Sequence, residues 1–116
     1  MNRFHLGVDI VSVKRIEDSY ASYQEKFLAK FLTENEINSL KITPQRLASR
    51  WAAKEALFKA FSSAGLTTTY RDFEIITSDT GCPRVKHLFK DWHAEISLSH
   101  ENDYAIAYCQ IKKIQS

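Results

Sequence analysis

Residues 51–61 have the sequence WAAKEALFKAF and belong to the longest helix that the sequence predicts. Thr43 followed by Pro44 is a typical helix start, because threonine caps the first turn and proline fits its first position. Gly65 marks the end, since glycine adopts the left-handed conformation in which helices often terminate. We therefore expect a helix from Thr43 to about Ala64. Its unusual feature is a set of three charged side chains among alanines and large aromatic residues: Lys54, Glu55 and Lys59.

The segments before this helix predict one strand and two shorter helical regions. Residues 4–11 alternate as in a β-strand, and Ser12 then caps a helix that continues into the apolar residues 26–32. Thr33 and Glu36 have the spacing of a capping box, which predicts another short helix.

After Gly65 the pattern changes to strands. We expect strands at residues 73–78, 83–87, 95–100 and 105–111, with a short helix within residues 88–94. Because helices and strands are segregated along the chain, the predicted class is α+β, with a mainly antiparallel sheet packed on helices. The length of the chain is typical of one domain, which we expect to cover residues 1–116.

Composition excludes several classes of protein. Sixteen basic and 14 acidic residues leave a net charge of +2, which does not favour a nucleic-acid-binding protein. Cys82 and Cys109 lack the CxxC spacing of a zinc site, so we expect two free thiols in a reducing compartment. No stretch approaches the roughly 18 apolar residues of a membrane span. A cytoplasmic protein without membrane or nucleic-acid partners is the resulting expectation.

Asp9 is the first residue that does not fit its surroundings. It lies between Val8 and Ile10 in the most apolar part of the first strand, where aspartate is depleted. A buried carboxylate needs hydrogen bonds, a cation or a metal ion. The alternative is that Asp9 caps the helix that follows, and the sequence leaves both interpretations open.

Glu55 and Lys59 are the second anomaly. On a helical wheel they lie beside a stripe of large apolar side chains that includes Trp51 and Phe58. Their other neighbours are small, which leaves space for something else to approach the helix closely: Ala48, Ala52 and Ser62. The alternative is an ordinary i,i+4 ion pair on a solvated face, which contributes only about 0.3–0.5 kcal/mol.

Two further residues have open interpretations. Lys54 falls among large apolar side chains, where its stem would be buried and its ammonium group could still reach solvent. His100 ends a predicted strand, where a lone histidine is more often structural than catalytic. A strand carboxylate, a helix carboxylate and a nearby lysine nevertheless suit a magnesium ion and a phosphorylated substrate.

Several segments occur in the order found in one protein family. They are GVDIVSVKRIE, FLTENEI, RWAAKEALFKAF, FEI with GCPRV, and ISLSHENDYAIA. Together they resemble the holo-acyl-carrier-protein synthases, the short bacterial-type phosphopantetheinyl transferases, over essentially the whole chain. The resemblance implies transfer of the 4'-phosphopantetheine arm of coenzyme A to a serine of apo acyl carrier protein, with release of adenosine 3',5'-bisphosphate. This reaction depends on Mg²⁺ and serves fatty acid biosynthesis.

The resemblance also implies a role for individual residues. Asp9 and Glu55 would bind Mg²⁺, Lys59 would stabilise the pyrophosphate, and Glu55 would accept the serine proton directly or through a water. His100 would lie near the nucleotide phosphates. The implied contacts to coenzyme A are Arg50, Lys54, Lys59, Ser62, Gly65, Pro83, Arg84 and His100. The family is homotrimeric, with active sites between subunits.

Acyl carrier protein is acidic, so a basic surface should receive it. The resemblance places this surface on the first helical region, at Lys14, Arg15 and Lys26. Simple solvation is the alternative for these three side chains. A non-catalytic α+β module that binds an acidic protein through the same surface is the alternative function, and it predicts that Asp9 and Glu55 matter only for folding.

Three departures from the family pattern concern the neighbourhood of coenzyme A. The turn after the long helix is SSAGL where the family often has a glycine-rich turn. Cys82 stands where a lysine is common, so the cationic contact to coenzyme A is either missing or supplied by Arg84. Trp51 stands where phenylalanine is usual, a change that we assign to packing.

Overall fold

The computed structural model of the protein describes residues 3–114. Its elements, in chain order, are β1 (Phe4–Ser12), α1 (Val13–Tyr23), α2 (Glu25–Phe31), α3 (Glu34–Ser39), α4 (Pro44–Ser63), a 3₁₀ turn (Tyr70–Asp72), β2 (Phe73–Thr77), β3 (Pro83–His87), β4 (Trp92–His100) and β5 (Tyr104–Lys113). Strands β1, β5 and β4 form an antiparallel sheet in that order, and β2 pairs with β3 in an antiparallel hairpin. The predicted α+β class with antiparallel sheets packed on helices is confirmed.

The predicted helix caps are also confirmed. The Ser12 hydroxyl accepts a hydrogen bond from the Arg15 amide at 3.2 Å, and Thr33 and Glu36 form a complete capping box. Thr43 caps α4 through the amide of Arg46 at 3.2 Å. At the other end of α4, Gly65 has a φ of +84°, as the predicted termination requires.

Two details of the predicted secondary structure are wrong. Residues 88–94 contain no helix: Trp92 begins β4 after a turn in which its amide donates to the Phe89 carbonyl. The first helical region is two helices, because the backbone of Gln24 has a φ of +46° that breaks the α-helical path.

The core lies between α4 and the elements on either side of it. The face of α4 toward β1 and β5 consists mainly of alanines, and Leu57 and Phe61 supply bulk that is fully buried. Phe58, predicted as part of the apolar stripe, is instead 38% exposed. Trp51 packs against Phe27 with ring centroids 5.7 Å apart, so the packing role predicted for it is confirmed.

Gly7 allows β1 to touch α4 directly. A Cβ atom at this position would lie 1.9 Å from the carbonyl oxygen of Ala56, far inside van der Waals contact. The close contact is with Ala56 and Ala60, and not with the small residues that the helical wheel places beside Glu55 and Lys59. Any side chain at position 7 would force the strand and the helix apart.

Lys54 is fully buried and serves the fold. Its ammonium group donates to the Glu36 carboxylate at 2.7 Å, to the Tyr70 carbonyl at 3.0 Å and to the Phe73 carbonyl. Three acceptors use all three of its protons. Both sequence interpretations of Lys54 are therefore wrong: its head does not reach solvent, and it has no donor left for coenzyme A.

Glu36 completes this buried network. Its Oε1 also accepts from the Thr33 amide at 2.8 Å, and its Oε2 accepts from the Ile75 amide at 2.9 Å. The Glu36–Lys54 pair thus connects α3, α4 and β2. It also satisfies backbone groups near these elements, such as the Ile75 amide and the Phe73 carbonyl. Burial lowers the pKa of Lys54, but the neighbouring carboxylate opposes that shift.

The outer face of the three-stranded sheet, opposite α4, is apolar and exposed. Its large side chains are between 41% and 61% exposed: Phe4, Leu6, Val8, Ile10, Tyr104, Ile106 and Tyr108. A contiguous apolar surface of this kind marks an interaction site in a protein. We refer to these seven residues as the outer apolar face.

Two expectations concern cysteines and membranes. Cys82 and Cys109 are both free, as predicted, and burial raises the pKa of Cys109 to about 12. Across residues 3–114, no helix has both the length and the apolar character needed to cross a membrane.

The contact at Gly7 predicts a large cost for any added side chain. Gly7→Ala should lower the free energy of unfolding by about 3 kcal/mol or more, because its methyl group overlaps a backbone oxygen that no rotamer change can move. Denaturant unfolding measures the change. Gly81→Ala is the control, since a Cβ there meets nothing within 4 Å and adds only backbone strain at its φ of +86°. Equal costs for the two variants would contradict the account of Gly7.

The buried ion pair predicts non-additive mutations. Lys54→Met alone should cost about 3–5 kcal/mol, because it leaves the Glu36 carboxylate charged and buried. Lys54→Met combined with Glu36→Gln should cost clearly less than the sum of the single changes. A double-mutant cycle in urea measures the coupling, and additive costs would show that the pair has no special role.

Candidate active site

Asp9 and Lys59 meet at the surface between β1 and α4. The Lys59 ammonium donates to Asp9 Oδ1 at 3.1 Å and to the Val8 carbonyl at 3.0 Å. The Asp9 side chain is 16% exposed, whereas that of Lys59 is 51% exposed. Ser12, and not Asp9, caps α1, so the capping interpretation of Asp9 is wrong. Lys59 thus pairs with Asp9, and not with Glu55 as the i,i+4 spacing on the helix would suggest.

Glu55 has a different partner. The Tyr70 hydroxyl donates to Glu55 Oε1 at 2.7 Å. The pKa of Tyr70 rises to about 12, chiefly through this hydrogen bond, with further contributions from burial and from the charges of Glu55 and Asp9. The phenol is therefore a protonated donor at neutral pH. Glu55 lies one helical turn before Lys59, which binds Asp9, so the two carboxylates lie on the same part of the surface.

Strand register explains this convergence. Gly7 and Asp9 lie on the same face of β1, because side chains two apart in a strand point the same way. The Gly7 backbone touches Ala56, the residue next to Glu55. The contact between Gly7 and Ala56 therefore brings the Asp9 carboxylate to the helix turn that contains Glu55 and Lys59.

The two carboxylates suit a hard divalent cation. Each has one oxygen engaged, by Lys59 or by Tyr70, and within residues 3–114 neither Asp9 Oδ2 nor Glu55 Oε2 has a hydrogen-bond partner. Mg²⁺ prefers oxygen ligands and is commonly held by one or two carboxylates together with water and substrate phosphates. No group of three or more His, Cys, Asp and Glu side chains that could enclose a metal ion occurs in the described chain. Asp9 and Glu55 fit Mg²⁺ as an open site and do not form a closed cage.

A basic cleft of about 630 Å³ lies on another side of α4, against α3, β2 and β3. Its cationic side chains are Lys41, Arg46, Arg50 and Lys86. Arg50, predicted to contact coenzyme A, donates to the Thr77 hydroxyl at 3.3 Å, and burial lowers its pKa. The other three cations were not predicted, because they come from separate segments with no common spacing.

The remaining predicted contacts to coenzyme A lie in three places: the groove between β3 and β4, the end of β4 and the end of α4. Pro83 and Arg84 line a groove of about 580 Å³ between β3 and β4, together with the exposed Cys82. His100 is exposed at the end of β4, and Ser62 and Gly65 are exposed near the end of α4. Among residues 3–114, no hydrogen bond or ion pair connects these positions to Asp9, Glu55 or Lys59.

The three predicted docking residues differ in their contacts. Lys14 pairs with Asp18 at 3.0 Å, and this neighbour raises the pKa of its ammonium group. The Arg15 guanidinium lies over the Trp51 ring, 5.9 Å from its centroid. Lys26 is exposed on α2. All three remain accessible on the α1 and α2 side of the molecule.

Residues 5–109 match the family described as the 4'-phosphopantetheinyl transferase superfamily. The chain belongs to this superfamily. It is 41% identical to the holo-[acyl-carrier-protein] synthase of Thermodesulfovibrio yellowstonii, covering 91% of this chain and 96% of that protein. It is 38% identical to the enzyme of the same name from a Geobacillus species, covering 94% and 96%.

A solved structure of a family member has the same fold. The crystal structure of Helicobacter pylori holo-[acyl-carrier-protein] synthase in complex with coenzyme A matches with a TM-score of 0.81 at 30% identity, covering 90% of this chain and 96% of that chain. The family resemblance predicted from the sequence motifs is confirmed.

Proposed function

We propose that this protein is a holo-[acyl-carrier-protein] synthase. It transfers the 4'-phosphopantetheine arm of coenzyme A to a serine of apo acyl carrier protein and releases adenosine 3',5'-bisphosphate, as a step that prepares carriers for fatty acid biosynthesis. The observation that supports this function most directly is the convergence of Asp9, Glu55 and Lys59 where β1 touches α4. Family membership and the names of the relatives support the same reaction.

The reaction moves a phosphoryl group between two oxygen atoms. The serine hydroxyl attacks the phosphorus that bears the pantetheine, and the bond from this phosphorus to the bridging pyrophosphate oxygen breaks. The serine proton goes to a base, for which Glu55 is our candidate, and the leaving group departs as adenosine 3',5'-bisphosphate. Little covalent chemistry is required of the protein, so positioning and charge stabilisation account for most of the catalysis.

Mg²⁺ is the proposed cofactor, held by Asp9 and Glu55. When bound, it would neutralise charge on the pyrophosphate and polarise the phosphorus that is attacked. Lys59 supplies a further positive charge one helical turn from Glu55, and its half-exposed ammonium group can turn toward a phosphate oxygen. The chain therefore holds the cation with carboxylates and the substrate's charge with a lysine.

Coenzyme A is the proposed donor substrate, with contacts from Arg50, Lys59, Ser62, Gly65, Pro83, Arg84 and His100. Arg50 lines the basic cleft, Pro83 and Arg84 line the groove between β3 and β4, and His100 ends β4. The positions are therefore divided among several elements of one chain. A homotrimer with active sites between subunits resolves this division, because residues of one subunit complete the site of the next. The outer apolar face supplies the surface that such an assembly would bury.

Acyl carrier protein is the proposed acceptor, docking at Lys14, Arg15 and Lys26. Their exposure on α1 and α2 suits long-range attraction of an acidic partner. We propose further that residues 1–116 act as one domain in the cytoplasm. One continuous hydrophobic core and two free thiols support these two proposals.

The proposed site predicts loss of activity when either carboxylate is neutralised. Asp9→Asn and Glu55→Gln should each reduce transfer by roughly 10²–10³-fold, the usual cost of removing a group that stabilises charge in a transition state. Intact-mass spectrometry of apo acyl carrier protein, incubated with the enzyme, coenzyme A and either Mg²⁺ or a chelator, measures the gain of one phosphopantetheine. Glu34→Gln, an exposed carboxylate on α3, is the matched control.

The free energy of unfolding of the carboxylate variants distinguishes the proposed enzyme from a non-catalytic binding module. The Asp9–Lys59 pair is partly exposed, so Asp9→Asn should change the free energy of unfolding by about 1 kcal/mol or less. Full transfer activity in both carboxylate variants would contradict the proposed site. No transfer by the folded wild-type enzyme to a competent carrier would contradict the proposed function.

The outer apolar face predicts a specific loss of assembly. Ile106→Asp places a charge at its centre, opposite Ile10 in the strand register, and should convert trimer to monomer with loss of transfer activity. Sedimentation velocity measures the change. Leu88→Asp is the control, because Leu88 is 82% exposed in the turn before β4 and lies outside this face. A monomeric wild-type enzyme that is fully active would contradict the assembly.

A further inference from the structure

We propose that Tyr70 is a positioning residue of the magnesium site, holding the Glu55 carboxylate in the orientation that binds the cation. This inference rests on the proposed function, because it concerns the same cation. Tyr70 lies outside every motif that indicated the family, and its contact with Glu55 emerges only from the fold.

The contact itself is directional. The Tyr70 hydroxyl lies 2.7 Å from Glu55 Oε1, within the short range of hydrogen bonds from a hydroxyl to a carboxylate. It occupies one oxygen and leaves Oε2 without a partner among residues 3–114. Because a phenol is neutral, it orients the carboxylate without adding positive charge that would repel a metal ion.

Tyr70 is held firmly enough to act in this way. Its ring packs against Trp51 and Phe58, with centroid distances of 5.9 Å to each. Its carbonyl oxygen accepts from the buried Lys54 ammonium group at 3.0 Å. Two consecutive residues of α4, Lys54 and Glu55, therefore bind opposite ends of Tyr70, and the phenol has a fixed position relative to the helix.

Glu55 needs such a partner more than Asp9 does. A glutamate has three side-chain torsions, and a cation that must select one rotamer binds more weakly because rotational freedom is lost. Asp9 has a shorter side chain, and Lys59 already holds one of its oxygens. Tyr70 therefore fixes one oxygen of Glu55 and leaves the other available.

Tyr70→Phe tests this role, because it removes the hydroxyl and keeps the packed ring. Mn²⁺ is the probe, and its affinity is measured by electron paramagnetic resonance with saturating coenzyme A present and with coenzyme A alone as the blank. We expect roughly tenfold weaker Mn²⁺ binding, typical of removing a group that orients a metal ligand. The Mg²⁺ concentration for half-maximal activity should rise by a similar factor, whereas kcat at saturating Mg²⁺ should change much less.

Tyr20→Phe is the matched control. Tyr20 packs against the core from α1, and its hydroxyl makes no hydrogen bond to another described residue. Its Mn²⁺ affinity and magnesium dependence should equal those of the wild type. Thermal unfolding without metal checks that all three proteins are folded. A role of Tyr70 in packing alone would change stability and leave Mn²⁺ affinity unaltered.

The outcomes separate this inference from the proposed function. Wild-type Mn²⁺ affinity in Tyr70→Phe, together with lost affinity in Glu55→Gln, would overturn the role of Tyr70 and leave the magnesium site intact. Absence of Mn²⁺ binding by the wild-type enzyme would overturn both. Weaker binding in Tyr70→Phe with an unchanged Tyr20→Phe would establish Tyr70 as a positioning residue.

Discussion

Direct contact between the backbones of β1 and α4 is the constraint on which the candidate active site depends. It exists because position 7 is glycine: a single added carbon would lie 1.9 Å from the Ala56 oxygen. Asp9 faces the helix because it is two residues further along the same strand face. Its carboxylate therefore reaches the turn of Glu55 and Lys59, and a wider strand–helix spacing would separate the three groups that the proposed function brings together.

Consecutive residues of α4 have opposite roles. Lys54 points into the protein, where Glu36 and two backbone carbonyls satisfy all its protons. Glu55, rotated by about 100° around the helix, reaches the surface where Asp9 lies. Tyr70 connects the two, since its carbonyl binds Lys54 and its hydroxyl binds Glu55. The buried ion pair and the Glu55 carboxylate, our candidate base and metal ligand, are thus parts of one hydrogen-bonded structure.

Local signals predicted the parts of the fold that local interactions determine. The caps at Ser12, Thr33 and Thr43 were correct because capping depends on hydrogen bonds within four residues. Small side chains near Glu55 indicated open space beside the helix, but they did not identify β1 as the element that approaches it. The position of Lys54 was predicted wrongly, since its partner Glu36 is distant in sequence and no periodic pattern reports such a pair.

Other features depend on tertiary contacts that a sequence pattern does not contain. The apolar side of β1 faces outward, although alternation alone cannot say which side of a strand meets the core. Tyr70 follows a turn with no helical or strand period, so nothing in its neighbourhood indicated a contact with Glu55. The sequence predicts a short helix where the structure has the start of β4 at Trp92, because the segment before β4 is short and mixed in polarity.

The proposed function requires that Asp9 and Glu55 together hold one divalent cation against the pyrophosphate of coenzyme A. A crystal structure of the protein with coenzyme A and Mn²⁺, using the anomalous scattering of manganese, tests it most directly. We expect one strong anomalous peak at about 2.0–2.3 Å from an oxygen of each carboxylate and beside the pyrophosphate. Bound coenzyme A with the peak elsewhere, or with no peak at these two side chains, would contradict it.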